Sequence, residues 1–239
     1  MRAAAQKAIG LDPLWPESHA AIGMAFAADL AWPDAERAFR RAMRLGPNLS
    51  RIRRDFAVYV LLPEGKATEA REQIRKAADL DPLSVSCQIE QAFVELRSGR
   101  HREARAIAER VLAARPKDVF AGQIQARALL LEGKPNDALA ILEQQGPASH
   151  GYLGYAYANV GRRNEAFRLA AEDDPARARH QVLIYAALGE RWRVFDALRT
   201  LAETDDFMAD LYPAEPELAA LRDDPRMADF RRLRNLPQE

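Results

Sequence analysis

Apolar and polar residues between positions 16 and 47 follow the period of two amphipathic helices. The first pattern runs from His19 to about Leu30, and the second runs from Pro33 to about Leu45. Their apolar positions recur at helical spacing, not with the alternation of a strand. These positions are Ile22, Gly23, Phe26, Ala35, Phe39 and Ala42. One hairpin of this kind cannot bury its apolar face alone, so the pattern predicts neighbours of the same kind.

The breaks between helical patterns recur at nearly constant distances. Prolines between successive hairpins are 34, 35 and 34 residues apart, at Pro13, Pro47, Pro82 and Pro116. Glycines in the turns within hairpins are 34, 34, 28 and 28 residues apart, at Gly65, Gly99, Gly133, Gly161 and Gly189. The first hairpin has Leu30 where the other turns have glycine, and Trp32-Pro33 follows it. Two series of breaks with matching periods predict a tandem helical repeat.

The pattern resembles the tetratricopeptide repeat (TPR) family. The residues that carry the resemblance are Gly23, Phe26, Ala35, Phe39, Ala42 and Pro47, with Leu30 as the departure. Later units fill the slot of Gly23 with small residues, at Ala57, Ala92, Ala126 and Gly154, and two units keep an aromatic residue in the slot of Phe26, at Tyr157 and Tyr185. The resemblance implies an all-α, right-handed α-solenoid of helix-turn-helix repeats with a C-terminal capping helix.

The predicted units cover almost the whole chain. A half repeat at 1–12 is followed by units at about 16–49, 50–84, 85–118, 119–146, 147–174 and 175–204. Prolines and acidic residues dominate the start of 205–239, which we expect to be an irregular segment followed by the capping helix. In that helix, Met227, Phe230 and Leu233 are predicted to cover the last hairpin. Because 1–12 lacks the first helix of its repeat, we expect the chain to be cut from a longer protein, with a bare capping helix as the alternative.

The resemblance implies a function in protein–protein interaction and no enzymatic activity. In this family the first helix of each repeat lines a concave groove that binds a peptide or protein. The implied partner-binding residues are Met24, Arg51, Arg54, Val58, Ile89, Phe93, Gln123, Arg127, Leu130, Tyr155, Asn159, Arg179 and Leu183. Core packing alone would also explain the apolar members of this set.

The arginines of the predicted groove favour an acidic, amphipathic partner, since a guanidinium group can bind a carboxylate through two hydrogen bonds. Residues 203–224 are themselves acidic with interleaved apolar side chains, so the C-terminal segment is a candidate for the same groove. An intramolecular partner domain is a further alternative. The order of the repeats also resembles the C-terminal arrays of bacterial multidomain signalling proteins. That resemblance implies, as the alternative function, a sensor or regulatory region attached to a winged-helix transcription regulator, a nucleotide cyclase or a protein kinase.

Charge and residue composition argue against several further classes of site and function. The 35 basic and 35 acidic residues give a formal net charge of zero, which argues against non-specific nucleic-acid binding. The single cysteine, Cys87, excludes an intrachain disulfide, and no two of the four histidines have the spacing of metal ligands. We therefore expect no catalytic, cofactor or metal site. The chain has no apolar run of about 18 residues and no signal peptide, so we expect a cytoplasmic protein that does not bind a membrane.

Overall fold

The computed structural model has the all-α fold that the sequence predicts. It describes residues 2–171, 178–203 and 207–238, and these contain helices, turns and loops without a β-strand. In chain order the α-helices are α1 (Arg2–Leu11), α2 (Pro16–Ala28), α3 (Trp32–Leu45), α4 (Ser50–Phe56), α5 (Ala67–Leu80), α6 (Val85–Arg97), α7 (His101–Ala114), α8 (Val119–Leu131), α9 (Pro135–Gln145), α10 (His150–Asn159), α11 (Arg163–Ala170), α12 (Ala178–Leu188), α13 (Arg191–Ala202) and α14 (Pro225–Leu233). Helix α4 continues as a π-helix at Ala57–Leu61, and the described residues also form 3₁₀-helices at Gly146–Ser149, Phe207–Ala214 and Pro216–Leu221.

Helices α2 to α13 form six antiparallel pairs that stack in chain order. Within each pair the two helices pack together, and the second helix of a pair also packs on the first helix of the next. First helices additionally contact one another from pair to pair, as between α6 and α8 and between α10 and α12. The first helices therefore form the inner layer of the solenoid, and the second helices form its outer layer. We call the exposed side of the inner layer the inner face.

The turns within the pairs explain the glycine series. Gly65, Gly99, Gly133, Gly161 and Gly189 all have positive φ values, between 73° and 82°. Leu30 occupies the corresponding position in the first pair and is also left-handed, with φ at 55°. A left-handed conformation costs a residue with a Cβ roughly 1–2 kcal/mol, so other contacts must offset this strain in the first pair.

Small residues lie where helices cross closely, as the repeat pattern predicts. A Cβ built on Gly23 would lie 2.8 Å from Cδ2 of Phe39, and one built on Gly154 would lie 2.4 Å from Cδ1 of Ile184. Ala35 and Ala42 have no exposed surface. These positions let the helix axes approach while the larger neighbouring side chains interdigitate.

The outer helices become shorter towards the C-terminal half of the solenoid. Helices α3, α5 and α7 each have 14 residues, whereas α9 has 11 and α11 has 8. From the breaks at Gly146-Pro147 and Asp174-Pro175, the sequence predicts that the second helices are six residues shorter after position 145; this is wrong for α13, which has 12 residues. The break at 174–175 that is predicted to end one of these helices lies outside the described residues.

The last helix packs on the last pair through two of the three predicted side chains. Met227 and Phe230 are buried in one cluster with apolar residues of α12 and α13, including Val182, Val194 and Leu198. The prediction for Leu233 is wrong, because 59% of its surface is exposed. The chain turns through a left-handed residue at position 235, and the apolar side chain of Leu236 is buried after α14.

Candidate partner-binding surface

The C-terminal segment, residues 207–238, lies along the inner layer and connects the last pair to the first. Near its start, Tyr212 donates a hydrogen bond of 2.6 Å from its hydroxyl to the carbonyl oxygen of Arg179 in α12. Near its end, the carbonyl oxygen of Arg234 accepts a hydrogen bond of 3.2 Å from the indole N–H of Trp32 in α3. The segment therefore occupies part of the surface that the sequence predicts to be a groove.

Apolar side chains of the C-terminal segment enter the cores at both ends of the solenoid. Leu211 and Leu236 belong to the cluster of the first pairs, around Phe39 and Phe56, whose rings stack at 5.5 Å. Ala209, Tyr212, Leu218 and Leu221 belong to the cluster of the last pair. Leu211 and Leu218 have no exposed surface, so these side chains of the segment are part of the core.

Two carboxylates of the segment meet two buried arginines of the inner layer. Arg127 of α8 donates from Nε and Nη2 to Glu217, at 2.8 and 3.0 Å, and from Nη2 to Glu215 at 2.8 Å. Glu215 also accepts a hydrogen bond from Nη2 of Arg97, the last residue of α6. The side chains of these four residues are between 1% and 4% exposed. The site is therefore a desolvated, charge-assisted contact between the inner layer and the C-terminal segment.

Burial and charge act in opposite directions on these groups. Burial lowers the pKa of both guanidinium groups, and the carboxylates oppose it; the balance leaves the pKa of Arg97 below its ordinary value and the pKa of Arg127 well above it. Burial raises the pKa of Glu215, but the opposing effects of Arg127 and then Arg97 are together larger, so that the net shift of this pKa is downward. The arrangement thus stabilises Glu215 as a carboxylate.

Aromatic rings support the two guanidinium groups from the inner layer. The Cζ atom of Arg97 lies 3.7 Å from the centre of the Phe93 ring, and that of Arg127 lies 5.0 Å from the centre of the Tyr152 ring. Contacts of this kind stabilise a cation by cation–π attraction when water is excluded. The Nε and Nη1 atoms of Arg97 are buried without a hydrogen-bond partner, so Glu215 satisfies this group only in part.

A second ion pair joins the two ends of the C-terminal segment to each other. Arg234 donates from Nε and Nη2 to the carboxylate of Asp210 at 2.6 and 3.0 Å, and both side chains are buried. The Nη1 atom of Arg234 donates to the carbonyl oxygen of Ala202 at 3.2 Å. The side-chain amide of Asn235 donates to the carbonyl oxygen of Leu30 at 2.9 Å. This last contact holds the strained turn of the first pair.

The predicted groove residues fall into three groups. The buried ones are Val58, Arg127, Leu130 and Leu183; the half-buried ones are Met24, Arg54, Ile89, Phe93, Gln123 and Tyr155; the exposed ones are Arg51, Asn159 and Arg179. A groove residue that binds an external partner has to be accessible, but the side chain of Arg127 is 2% exposed beneath Glu215 and Glu217. Burial also raises the pKa of Tyr155, to about 12.

Part of the inner face remains uncovered at the starts of the first helices. The side chain of Arg51 is 80% exposed, and Phe120 is 67% exposed. Arg51 on α4 and Phe120 on α8 occupy equivalent positions two repeats apart. Arg54, Ile89 and Gln123 occupy a second set of equivalent positions, on α4, α6 and α8. We call these five residues the open strip.

Within the open strip, Arg54 already has local partners. It forms ion pairs with Glu90 at 2.9 Å and with Asp55 at 3.0 Å, and these carboxylates raise its pKa against the effect of burial. Gln123 donates from Nε2 to the hydroxyl of Ser149 at 3.1 Å. The side chain of Arg51 is exposed and its Nε atom lies 3.5 Å from the carboxylate of Asp55, and Phe120 contributes an exposed aromatic ring. The strip is therefore amphipathic, with its cations on the N-terminal side of the solenoid.

Sequence reasoning misses several of the residues that build this surface. The sequence pattern groups Arg97 with the arginines of a turn at 97–105, places Trp32 in the turn of the first hairpin, and assigns no role to Phe120. The available signal is the pair of glutamates at 215 and 217 within a segment already predicted to be amphipathic. Which arginines they meet depends on contacts across 118 and 88 residues of chain, for which no local pattern exists.

Potential metal ligands, the cysteine thiol and the apolar character of the helices bear on other kinds of site in the part of the chain that the structure describes. No group of three or more His, Cys, Asp and Glu side chains could hold a metal ion there. The thiol of Cys87 is buried, which raises its pKa to about 11. Among the same residues, no helix combines the length and the apolar character needed to cross a bilayer.

Comparison with solved structures gives the fold a name. The chain superimposes on PilW, a widely conserved type IV pilus biogenesis factor, with a TM-score of 0.56 and 18% identity over 92% of this chain and 88% of that one. It superimposes on YrrB, a TPR protein with an unusual peptide-binding site, with a TM-score of 0.52 and 14% identity over 82% and 98% of the two chains. The chain has the tetratricopeptide-repeat fold. TTC0263, a thermophilic TPR protein of Thermus thermophilus, is similarly related, with a TM-score of 0.52 and 19% identity over 78% and 97%.

No protein-family model and no curated protein matches the sequence of this chain. The three solved structures are covered almost completely by it, so the likeness concerns whole solenoids and not a single repeat. The narrower resemblance to the repeat arrays of bacterial multidomain regulators stays a prediction.

Proposed function

We propose that this TPR chain is a protein-interaction module and that its polypeptide partner binds on the inner face. The observation that carries the proposal is the C-terminal segment itself. A stretch of polypeptide already lies on that face and is held by buried apolar side chains and by the pairing of Glu215 and Glu217 with Arg97 and Arg127. The description of YrrB as a TPR protein with a peptide-binding site supports the same use of a similar solenoid.

The open strip is the part of the inner face that the C-terminal segment leaves accessible to a partner. Its exposed ring, Phe120, and its exposed cation, Arg51, belong to the residue types that are enriched at protein interfaces. An aromatic ring gives a large contact area at low conformational cost, and arginine adds hydrogen bonds to carboxylates. The proposed partner is therefore a polypeptide with apolar and acidic side chains, and no chemical reaction is assigned to the surface.

Photo-crosslinking tests the proposal on the full chain in the cells from which it comes. p-Benzoylphenylalanine is placed at position 120 on the inner face or, as a matched control, at position 192. Trp192 lies on the outer helix α13, is aromatic, and is 61% exposed, close to the 67% of Phe120. We expect a discrete crosslinked protein from position 120 and none from position 192. Crosslinks from position 192 alone would place the binding surface on the outer layer.

A purified partner then allows a quantitative test. Replacement of Arg51 by Glu should weaken binding of that partner, more strongly at low salt than at physiological salt, because exposed charges are screened. The control is Arg199→Glu on the outer helix α13, where the side chain is 71% exposed. Equal affinity of wild type and Arg51→Glu at both salt concentrations would contradict the proposed location.

A further inference from the structure

Four buried charged groups lie where the C-terminal segment meets the inner layer, and space-filling alone would not require them. Arg97 and Arg127 are desolvated almost completely, and their guanidinium groups point at carboxylates from a different part of the chain. Buried ion pairs contribute little net stability compared with apolar residues of the same volume. They do impose a strict choice of ligand, because an uncharged group in place of the carboxylate would leave a buried cation unpaired. The inner layer is therefore built to select carboxylates at this position.

The segment that supplies the carboxylates is not itself a regular element. Residues 207–221 form two 3₁₀-helical stretches, with Pro213 inside the first and Pro216 at the start of the second. Runs of 3₁₀-helix have poorer hydrogen-bond geometry than an α-helix, and proline removes further donors. The segment is consequently held by the inner layer more than by its own backbone. Release of the segment must therefore break its contacts with the inner layer, which include the buried side chains of Leu211 and Leu218.

The hydrogen bonding of the inner-layer arginines is also incomplete. The side chain of Arg97 is only 1% exposed, and its Nε and Nη1 atoms have no hydrogen-bond partner. An unsatisfied buried donor carries a desolvation cost that a better-placed acceptor would remove. A ligand that brings one more oxygen to Arg97 would therefore bind this site more tightly than residues 207–221 do.

We propose that residues 207–221 are an internal ligand, and that the partner is a polypeptide segment that displaces them by presenting the same chemistry. That chemistry is an aromatic hydroxyl followed, three and five residues later, by two carboxylates and then by an apolar residue, as in Tyr212, Glu215, Glu217 and Leu218. The proposal rests on the function proposed above, and it adds the ligand class and the regulation. Because the internal ligand is tethered, its effective concentration is on the order of millimolar, so only a ligand that binds better or is abundant replaces it.

The test measures whether the site accepts the same segment from outside. The probe is a fluorescent peptide with the sequence of residues 207–221, and its binding to the full chain is followed by fluorescence anisotropy. The wild-type chain should bind it weakly. A chain with Glu215→Gln and Glu217→Gln keeps the shape of the segment but loses its charges, and it should bind the wild-type peptide about tenfold more tightly. Adding Arg127→Met to that chain should abolish the gain.

Two controls separate this effect from a general change in charge. A chain with Asp223→Asn and Asp229→Asn loses the same two charges at exposed positions and should bind like wild type. A peptide with both glutamates replaced by glutamine should bind no variant more tightly than it binds wild type. A single-stranded oligonucleotide that displaces the bound peptide at equal concentration would overturn the assignment to a polypeptide ligand.

A measurement on the wild-type chain keeps the proposal falsifiable if a variant does not fold. In an isotopically labelled wild-type chain, unlabelled peptide at millimolar concentration should accelerate amide hydrogen exchange in the chain's own residues 207–221. Exchange in the outer helices should not change. Unchanged exchange in 207–221, or equal peptide binding by wild type and the double Gln variant, would show that the segment is a fixed part of the fold.

The outcomes also separate this proposal from the broader one. Crosslinking from position 120 reports a partner on the inner face whether or not the C-terminal segment moves. If crosslinks form and the peptide does not bind, the interaction module stands and the internal ligand fails. If the peptide binds and no crosslink forms, the arginine pair recognises carboxylates, but the proposed partner on the inner face is contradicted.

Discussion

The indole N–H of Trp32 donates to the carbonyl oxygen of Arg234, 202 residues later, at 3.2 Å. Trp32 is the first residue of the outer helix of the first pair, and Arg234 follows the last helix of the chain. Both residues are buried, so neither group can exchange its partner for water. Together with the contact of Asn235 on Leu30, this bond ties the two ends of the described solenoid, which would otherwise contact only their neighbours in the stack.

Replacing Trp32 by Phe tests this closure. Phenylalanine keeps most of the buried ring but removes the donor, which leaves the carbonyl oxygen of Arg234 unsatisfied. We expect the free energy of unfolding to fall by about 1 kcal/mol, and amide exchange to accelerate in both α3 and residues 230–238. Chemical denaturation and hydrogen exchange measure the two effects. Trp192→Phe, at an exposed position, is the control and should change stability by less than about 0.5 kcal/mol. A change confined to α3 would show that the closing bond carries no energy.

The repeat architecture is readable from the sequence because its causes are local and recur. Positive φ at the turn favours glycine, which therefore reappears in five pairs, and close helix crossing demands small residues such as Gly23 and Ala35. The exception in the first pair is also physical. Leu30 takes the glycine conformation and is supported by Asn235, a contact that lies 205 residues away and leaves no local trace.

The candidate site is less readable because its key contacts are not local. The acidic, amphipathic pattern of 203–224 indicates a segment that needs a basic partner, and this follows from composition alone. The sequence cannot indicate that Arg97 and Arg127 receive it while Arg54 pairs with Glu90 on the neighbouring first helix. All three arginines occur on first helices, and only the path of the C-terminal segment across the inner layer distinguishes them.

Acidification should release the C-terminal segment before it unfolds the repeats. The pKa of Glu215 is lowered below its ordinary value of 4.5 in the folded chain, chiefly by Arg127 against the opposing effect of burial. A group whose folded pKa is depressed contributes stability above its unfolded pKa and loses it as the pH falls through the folded pKa. We therefore expect protection of residues 207–221 to decrease below about pH 4.5, as measured by pulsed hydrogen exchange.

The variant Glu215→Gln supplies the control for this pH dependence. It cannot titrate at this position, so its protection of 207–221 should be lower at neutral pH and should change less between about pH 6 and about pH 3, a range that spans the ordinary pKa of 4.5. Other carboxylates titrate in both chains, and the comparison removes their contribution. Identical pH profiles for wild type and Glu215→Gln would contradict a stabilising role of the Glu215 carboxylate.

Overpacking of the first pair should weaken both ends of the solenoid. Ala42 has no exposed surface and belongs to the same cluster as Leu211 and Leu236. We expect Ala42→Phe to cost roughly 1–3 kcal/mol, because a well-packed core cannot accept a ring without shifts of its neighbours. Hydrogen exchange should show the loss in α2 to α5 and in the C-terminal segment, with little change in α10 and α11. Ala113→Phe, at an exposed position of α7, is the control. Uniform deprotection of all helices would show that the repeats unfold as one unit.

Removal of residues 205–239 should expose apolar surface at two places. The buried faces of Met227 and Phe230 cover the last pair, and Leu211 and Leu236 cover the first pairs. Contiguous exposed apolar patches promote association, so we expect oligomers or aggregates in light scattering after size-exclusion chromatography. Removal of residues 238 and 239 alone leaves these side chains in place and should keep the behaviour of the full chain. A monomeric truncation with unchanged helicity would contradict the covering role of the segment.

The ion pair of Arg127 and Glu217 provides the most direct test of the site, through a double-mutant cycle in the full chain. Arg127→Met removes the buried cation and leaves Glu215 and Glu217 with fewer partners, so we expect a loss of about 3–5 kcal/mol in the free energy of unfolding. Glu217→Met alone should cost less, because Arg127 keeps Glu215 at 2.8 Å. The double variant should recover part of the loss, since an apolar pair replaces a desolvated ionic one. The cycle should therefore give a coupling energy of about 0.5–3 kcal/mol. Additive effects of the two substitutions in denaturant titrations would mean that Arg127 and Glu217 do not interact in solution, and the recognition of carboxylates by the inner layer would lose its basis.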